Sequence, residues 1–183
     1  MKIIVDTSSW LALVRYYIPF DPNSNVYQFF KKGIEAGSII LIDEVHKECS
    51  FVAKKIVPNT LSFFNDKKNI TKTVELFPSP KFFNLVDNQF SIQLVKRRLT
   101  DVEYENQKEA FIKSADSKII LLGLKFIKED KIEETIIVSE ESSSANDHKL
   151  FKKIPAICSI LKIKSLTLPE LIEIFNNEIN LKF

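Results

Sequence analysis

The chain has 183 residues, with 26 lysines and arginines against 24 aspartates and glutamates, and its two cysteines lie far apart at positions 49 and 158. A chain of this length fits one domain and buries roughly two-thirds of the surface of its unfolded state. The near balance of charge excludes a basic surface over the whole chain, and the cysteine spacing excludes a disulfide framework or a zinc-type ligand pattern. We therefore expect a single domain over residues 1–183, with basic patches only where lysines and arginines cluster locally.

The sequence predicts neither a membrane segment nor an export signal. The first apolar run ends at Asp6, which is too early for the apolar region of a signal peptide, and no run of about 18 apolar residues occurs. Two cysteines without a pairing pattern are typical of a reducing compartment. We expect a cytoplasmic protein with no membrane contact.

The first element predicted is a short strand over residues 2–5. Its sequence, KIIV, is mainly apolar, as in interior strands of parallel sheets, which are covered on both faces. Asp6 follows this strand directly. In open α/β sheets ligands bind beyond the carboxyl ends of the strands, which makes Asp6 a candidate site residue. The alternative is that Asp6 or Ser8 caps the helix that follows.

Strands and helices then alternate along the chain. Apolar periodicity predicts strands over residues 38–43, 134–139 and 163–168, and helices over 10–17, 23–37, 44–56, 114–130 and 154–162 and from Pro169. In the helix over 44–56, the 3–4 spacing of Val45, Cys49, Val52 and Ile56 predicts one buried face. The segment over 58–108 is predicted to be mainly helical, with a short strand within 70–77.

This alternation predicts an α/β fold. Helices between strands are typical of a parallel sheet with right-handed crossovers. We expect a layered α/β/α arrangement around a central parallel sheet of four or five strands, in which the first strand is central and Asp6 stands at its carboxyl end.

Acidic side chains follow several of the predicted strands or begin the helices between them. Glu44 and Glu48 lie four residues apart, on one face of the helix after the second strand. Glu140 and Glu141 follow a later strand, and Asp116 begins a long helix, where the alternative is that it caps that helix. Because these elements converge in a doubly wound sheet, we expect Asp6, Glu48, Asp116 and Glu141 to surround one crevice.

Four carboxylates in one crevice require a cation. Without one they repel and raise one another's pKa values. Oxygen ligands suit Mg²⁺ and Mn²⁺, which usually keep several waters. The sequence therefore predicts a site for a hard divalent metal ion.

Four motifs together resemble the successive acidic motifs of PIN domains. They are IIVDTSSW at 3–10, EVHKEC at 44–49, SADSKIILLGL at 114–124 and IIVSEE at 136–141. The run from IIVSEE to KKIPAICSILKIKSL is similar to one PIN-like branch, described as domain of unknown function 4411. There a Thr/Ser-Glu-Glu step precedes a Lys-Ile-Pro-x-x-Cys segment. The resemblance spans nearly the whole chain, although the middle matches only in length and helicity.

The resemblance implies a metal-dependent endoribonuclease, often the toxin of a toxin–antitoxin pair. Its Mg²⁺ or Mn²⁺ ligands and catalytic residues would be Asp6, Glu48, Asp116 and Glu141, while Ser8 and Ser139 would position water or phosphate. PIN domains more often have Asp at the last of these positions, so Asp147 is a reserve candidate. Glu44 is the reserve for Glu48, although it is also interpreted as a first-turn residue favoured by the helix dipole. Glu140 is the reserve for Glu141 but is interpreted as a solvent-facing neighbour. The expected partners are RNA, a cognate antitoxin and a second copy of the chain.

Other functions remain open. A catalytically silent PIN-like module that binds RNA or protein is the alternative, and a haloacid-type phosphatase is disfavoured because Ser8 stands where its second aspartate is required. His46 and His148 are interpreted as solvated surface residues. The pairs Lys54–Lys55, Arg97–Arg98 and Lys152–Lys153, with Arg15, are candidates for a basic rim of the crevice.

Overall fold

The fold is built on a five-stranded sheet in which every strand runs parallel to its neighbours, in the order β3-β2-β1-β4-β5. A computed structural model describes residues 1–128, 134–142 and 149–179. The strands are β1 (Lys2–Val5), β2 (Ile39–Ile42), β3 (Ile70–Thr71), β4 (Thr135–Val138) and β5 (Lys164–Leu166). The predicted α/β class, with a parallel sheet of four or five strands and the first strand central, is confirmed.

Helices flank the sheet. In the described part of the chain the α-helices are α1 (Thr7–Ala12), α2 (Asn25–Glu35), α3 (Asp43–Phe51), α4 (Ile56–Thr60), α5 (Pro80–Leu85), α6 (Gln93–Lys96), α7 (Asp101–Lys113), α8 (Ala115–Lys128), α9 (Ile154–Leu161), α10 (Leu168–Ile174) and α11 (Asn176–Ile179). Helical turns of the π type cover Leu13–Tyr17 and Val86–Phe90, and 3₁₀ turns cover Ile18–Phe20, Ala53–Lys55, Ser62–Asn65 and Lys67–Asn69. None of the helices described is long and apolar enough to cross a membrane.

The three central strands are apolar because both of their faces are covered. All residues of β2 and β4 are buried, as are Ile3, Ile4 and Val5 of β1. Ile4 lies opposite Ile40 of β2 and opposite Ile137 of β4. Burying such side chains stabilises the fold by about 1.5–3 kcal/mol each, so this register is strongly specified.

The middle of the chain adds the short edge strand β3. The strand predicted within residues 70–77 is present as Ile70–Thr71 and pairs with β2. Asp43, at the start of α3, accepts hydrogen bonds from the amide and the hydroxyl of Thr73, at 3.0 and 2.6 Å. These two bonds attach the segment after β3 to α3. The two-residue pairing of β3 with β2 would hold that segment only weakly by itself.

Two predicted helix details are wrong. The helix that begins at Asp43 ends at Phe51, and Val52 is extended and exposed rather than part of its buried face. Ala53, Lys54 and Lys55 then adopt positive φ values, which an α-helix excludes. The helical spacing of apolar residues therefore continues past the residue where the helix ends, and the spacing alone does not reveal that end.

The strand order creates a switch point beside β1. The chain builds outward from β1 through β2 to β3, and then returns to place β4 on the other side of β1. Open α/β sheets bind ligands at the carboxyl ends of the strands where the order reverses in this way. In this chain Asp6 follows β1 and Ser139 follows β4 at that position.

Candidate functional site

Asp6 is buried at the switch point, with 6% of its surface exposed. Its Oδ2 accepts hydrogen bonds from Ser8 Oγ at 2.6 Å and from Ser139 Oγ at 3.2 Å. The capping bond from the Ser8 amide is long, at 3.4 Å. Asp6 therefore stands at the N-cap of α1. Its shorter hydrogen bonds, however, come from the two serine hydroxyls and not from the backbone amide of the helix. Oδ1 accepts no hydrogen bond from the residues that the structure describes.

The two serine hydroxyls are held in turn by backbone amides. Glu140 N donates to Ser8 Oγ at 3.0 Å, and Glu141 N donates to Ser139 Oγ at 3.2 Å. With each hydroxyl accepting from an amide, its own proton points to Asp6. This arrangement fixes the orientation of the Asp6 carboxylate. Ser8 and Ser139, which the resemblance assigns to water or phosphate, are thus engaged with Asp6.

Glu48 reaches the same region from α3. Its Oε2 accepts a 2.5 Å hydrogen bond from Thr7 Oγ1, which links α3 to the start of α1. Partial loss of hydration around the carboxylate raises the pKa of Glu48, and the negative charges of Asp6 and Glu44 raise it further, against the lowering effect of the Thr7 bond. Glu44 itself is half-buried and lies 3.7 Å from Lys47.

Asp116 is the most perturbed carboxyl group of the site. It lies in the first turn of α8, but Ser114 caps that helix by accepting from the Ser117 amide at 3.3 Å. Burial raises the pKa of Asp116 to about 7, and the charges of Asp6, Glu141 and Glu48 add to the rise. Capping therefore does not explain this residue, and the charges of the other three acidic groups act on its carboxyl group.

The last two glutamates already have backbone partners. Glu141 Oε2 accepts from the amide of Ile154 at 3.2 Å, at the start of α9, and Lys149 Nζ lies 3.9 Å from Oε1. Glu140 is exposed, yet its Oε1 accepts from Ser9 Oγ at 3.2 Å and from the amide of Leu168 at 2.7 Å. Glu140 thus joins α1 to the start of α10 rather than facing solvent freely.

The side chains as placed do not form a closed coordination shell. Within the described residues, no group of three or more His, Cys, Asp and Glu side chains stands where it could hold a metal ion. Asp147, the reserve candidate, lies outside the described residues. The negative charges of Asp6, Glu141 and Glu48 nevertheless raise the pKa of Asp116, so these three residues lie within electrostatic range of it.

A pocket of about 430 Å³ opens beside the carboxylates. Asp116 and Glu141 form part of its wall, together with Lys149, Lys152 and Lys153. Of the basic pairs predicted to rim the crevice, only Lys152–Lys153 lines this pocket; Arg15, Lys54–Lys55 and the exposed Arg97–Arg98 pair are not among its described lining residues. Acidic and basic side chains therefore line the same pocket.

His46 is not the solvated residue that was predicted. Its ring stacks on Phe64 with the centroids 5.4 Å apart, and its Nε2 is buried without a described partner. Burial lowers the pKa of His46, which favours the neutral ring. His148 lies outside the described residues.

Two residues of the site were not identified from the sequence. Thr7, which orients Glu48, lies within the DTSSW motif, and its position next to Asp6 was the available signal. Lys149 lies 3.9 Å from Glu141, and no local pattern in the sequence marks this pair.

The fold and the site define an α/β protein with an acidic centre at the carboxyl ends of a parallel sheet. The chain belongs to the family described as Domain of unknown function (DUF4411), which matches residues 3–179. No curated protein and no solved structure matches the chain.

Proposed function

We propose that this protein is a PIN-like, Mg²⁺- or Mn²⁺-dependent endoribonuclease that hydrolyses phosphodiester bonds of RNA. Support comes from the position of the acidic residues at the switch point, where α/β sheets bind ligands. The order of the acidic motifs along the chain, which resembles that of PIN domains, supports the same assignment.

One observation carries the proposal: Asp116 is a half-buried carboxyl group whose pKa is raised by the negative charges of three other acidic residues. Its pKa of about 7 reflects burial and the charges of Asp6, Glu141 and Glu48, while only Lys149 acts in the opposite direction. Such clustering costs free energy in the metal-free protein and is typical of functional sites. A structural cap would not require it, since Ser114 already caps α8.

The donor set fits a hard divalent cation in its chemistry. All four groups supply carboxylate oxygen, which Mg²⁺ and Mn²⁺ prefer, and Asp6 Oδ1 is not used by the described chain. Asp6, Glu48, Asp116 and Glu141 would hold the ion. A bound Mg²⁺ or Mn²⁺ supplies an activated water at neutral pH and offsets negative charge on a phosphate.

The chain's own residues orient the acidic side chains and place positive charge for the phosphates of RNA. Ser8 and Ser139 orient the carboxylate of Asp6 through their hydrogen bonds, and Thr7 orients the carboxylate of Glu48. Lys149 and Lys152 place positive charge beside Asp116 and Glu141, where the phosphates of an RNA strand would lie.

The proposal is tested by measuring Mn²⁺ affinity by calorimetry and cleavage of a generic RNA with Mg²⁺, with Mn²⁺ and with EDTA. We expect cleavage only with metal, and we expect Asp116→Asn to lose Mn²⁺ affinity and cleavage together. Asp101→Asn, which removes an exposed carboxylate at the start of α7, is the matched control and should retain both. An RNA left intact by the wild-type protein with either metal would refute the activity.

The toxin role is a further part of the proposal. We propose that the protein acts in the cytoplasm as a homodimer and that a cognate antitoxin inhibits it. Expression of the wild-type chain should arrest the growth of a bacterial host, whereas Asp116→Asn should not. Normal growth of cells that contain the active nuclease would contradict the toxin role without affecting the nuclease assignment.

A catalytically silent module that binds RNA or protein is the second candidate. The engagement of Glu141 with the Ile154 amide favours it, as does the absence of a three-ligand group among the described residues. Metal-independent RNA or protein binding without cleavage would support this candidate, and metal-dependent cleavage would eliminate it.

A further inference from the structure

The pocket beside Asp116 and Glu141 has a second wall that the proposed cleavage chemistry does not use. Phe111, Leu150 and Phe151 form its apolar side, and Gln107 lies at its edge. The rings of Phe111 and Phe151 stack with their centroids 4.4 Å apart and their planes inclined by 22°. Phe111 is buried and Phe151 is half-buried, and both line the pocket.

The chemistry of the pocket matches a nucleotide. Its volume of about 430 Å³ lies within the range of about 300–1,000 Å³ typical of small-ligand sites. The aromatic wall suits a flat base, and the exposed amide of Gln107 offers both a donor and an acceptor to a base edge. Lys149 and Lys152 supply positive charge for the adjoining phosphate.

The location of the pocket restricts the ligand further. Because Asp116 and Glu141 line the same pocket as the aromatic side chains, a base in the pocket lies next to the acidic centre. A base inside a duplex is stacked and paired, so its ring faces and its pairing edge cannot contact the side chains of this pocket unless the base is first extruded. The occupant that fits is therefore an unpaired nucleotide of a single strand.

We infer that this pocket receives an unpaired base of single-stranded RNA beside the bond to be cleaved, with Phe151 as its apolar contact and Gln107 as the residue that reads the base edge. The inference rests on the proposed function for its choice of RNA, but it concerns binding alone. It assigns base preference to Gln107, which lies on the exposed surface of α7.

The inference is tested by binding without cleavage. Fluorescence anisotropy in EDTA compares labelled homopolymers of adenosine, uridine and cytidine with a duplex RNA of equal length. We expect the single strands to bind more tightly than the duplex, and Phe151→Leu to weaken single-strand binding by at least about fivefold, as loss of an aromatic contact to a base does. Phe77→Leu, which changes a phenylalanine that is 81% exposed outside this pocket, should bind as the wild type does.

Gln107→Ala provides the second variant, because an exposed residue can be replaced without disturbing the core. It should change the order of affinities among the three homopolymers, whereas the neighbouring Asn106→Ala should leave that order unchanged. Wild-type affinity and base order in both Phe151→Leu and Gln107→Ala would overturn the inference, as would the absence of single-strand binding. The nuclease proposal is decided separately, by cleavage in Mg²⁺ or Mn²⁺. The nuclease proposal and the base-binding inference can therefore fail independently.

Discussion

Ser139 Oγ donates a 3.2 Å hydrogen bond to Oδ2 of Asp6, and this bond joins the carboxyl ends of two adjacent strands that are far apart in the chain. The amide of Glu141 donates to the same hydroxyl, which leaves the serine proton for the carboxylate. The bond is fully buried, so water does not replace it. Ser139 therefore determines how Asp6 is presented to a ligand.

Replacing Ser139 with alanine should weaken metal binding more than folding. Loss of a hydrogen bond that orients a metal ligand typically reduces affinity by about 10–100-fold, while a lost hydrogen bond costs about 1 kcal/mol of stability. Calorimetric titration with Mn²⁺ and urea unfolding measure the two effects. Ser159→Ala, at an exposed position of α9, is the matched control. Unchanged Mn²⁺ affinity in Ser139→Ala would separate Ser139 from the metal site.

Asp116→Asn should stabilise the metal-free protein at high pH. The pKa of Asp116 is about 7 in the folded state against 3.8 ordinarily, so the folded protein keeps a proton that the unfolded chain has already lost. The unfolding free energy therefore falls as the pH rises between these values. At pH 8 the variant should be more stable than the wild type by about 1–4 kcal/mol, and the difference should shrink as the pH approaches 4.

Urea unfolding of both proteins in EDTA at a series of pH values tests this linkage. Asp101→Asn corrects for the loss of one negative charge. A stability difference that is the same at every pH would show that Asp116 is not held among like charges.

The lysines of the pocket should account for the salt dependence of RNA binding. Each phosphate contact to a single strand contributes a slope of about 0.7 in log affinity against log salt concentration. The double variant Lys149→Gln/Lys152→Gln should lower the slope by about 1.4, because both lysines line the pocket. Arg97→Gln/Arg98→Gln removes two exposed charges outside the pocket lining and should leave the slope unchanged. A slope that falls in the arginine variant and stays unchanged in the lysine variant would place the RNA along α6 instead.

Two glycines should respond differently to substitution by alanine. A Cβ atom at Gly33 would lie 2.5 Å from Ile39 Cδ1 and 2.6 Å from its Cγ1, where α2 packs on β2. Gly33→Ala should therefore cost about 1–3 kcal/mol through overpacking. At Gly123 the nearest side-chain atom is Ile137 Cδ1 at 3.3 Å, and the gain in helix propensity of about 1 kcal/mol offsets the small shift required. Thermal unfolding of both variants gives the comparison, and equal melting temperatures would contradict it.

The sequence by itself determined the strands and the first acidic residue. The apolar runs within β1, β2 and β4 are local signals, because a strand covered on both faces is mainly apolar. The acidic residue after β1 was recognisable for the same reason, since the position beyond a buried strand end depends only on where the strand stops.

Only the tertiary structure decided which side chains meet. The placement of β4 beside β1, which brings Ser139 to Asp6, is a property of strand order that no local pattern encodes. No local pattern predicts that Glu141 accepts a hydrogen bond from the amide of Ile154 either. The stacking of Phe151 on Phe111 also joins distant segments of the chain. Periodicity tells which residues are buried, whereas contacts between distant residues depend on how the elements pack, and that packing created both the acidic centre and its pocket.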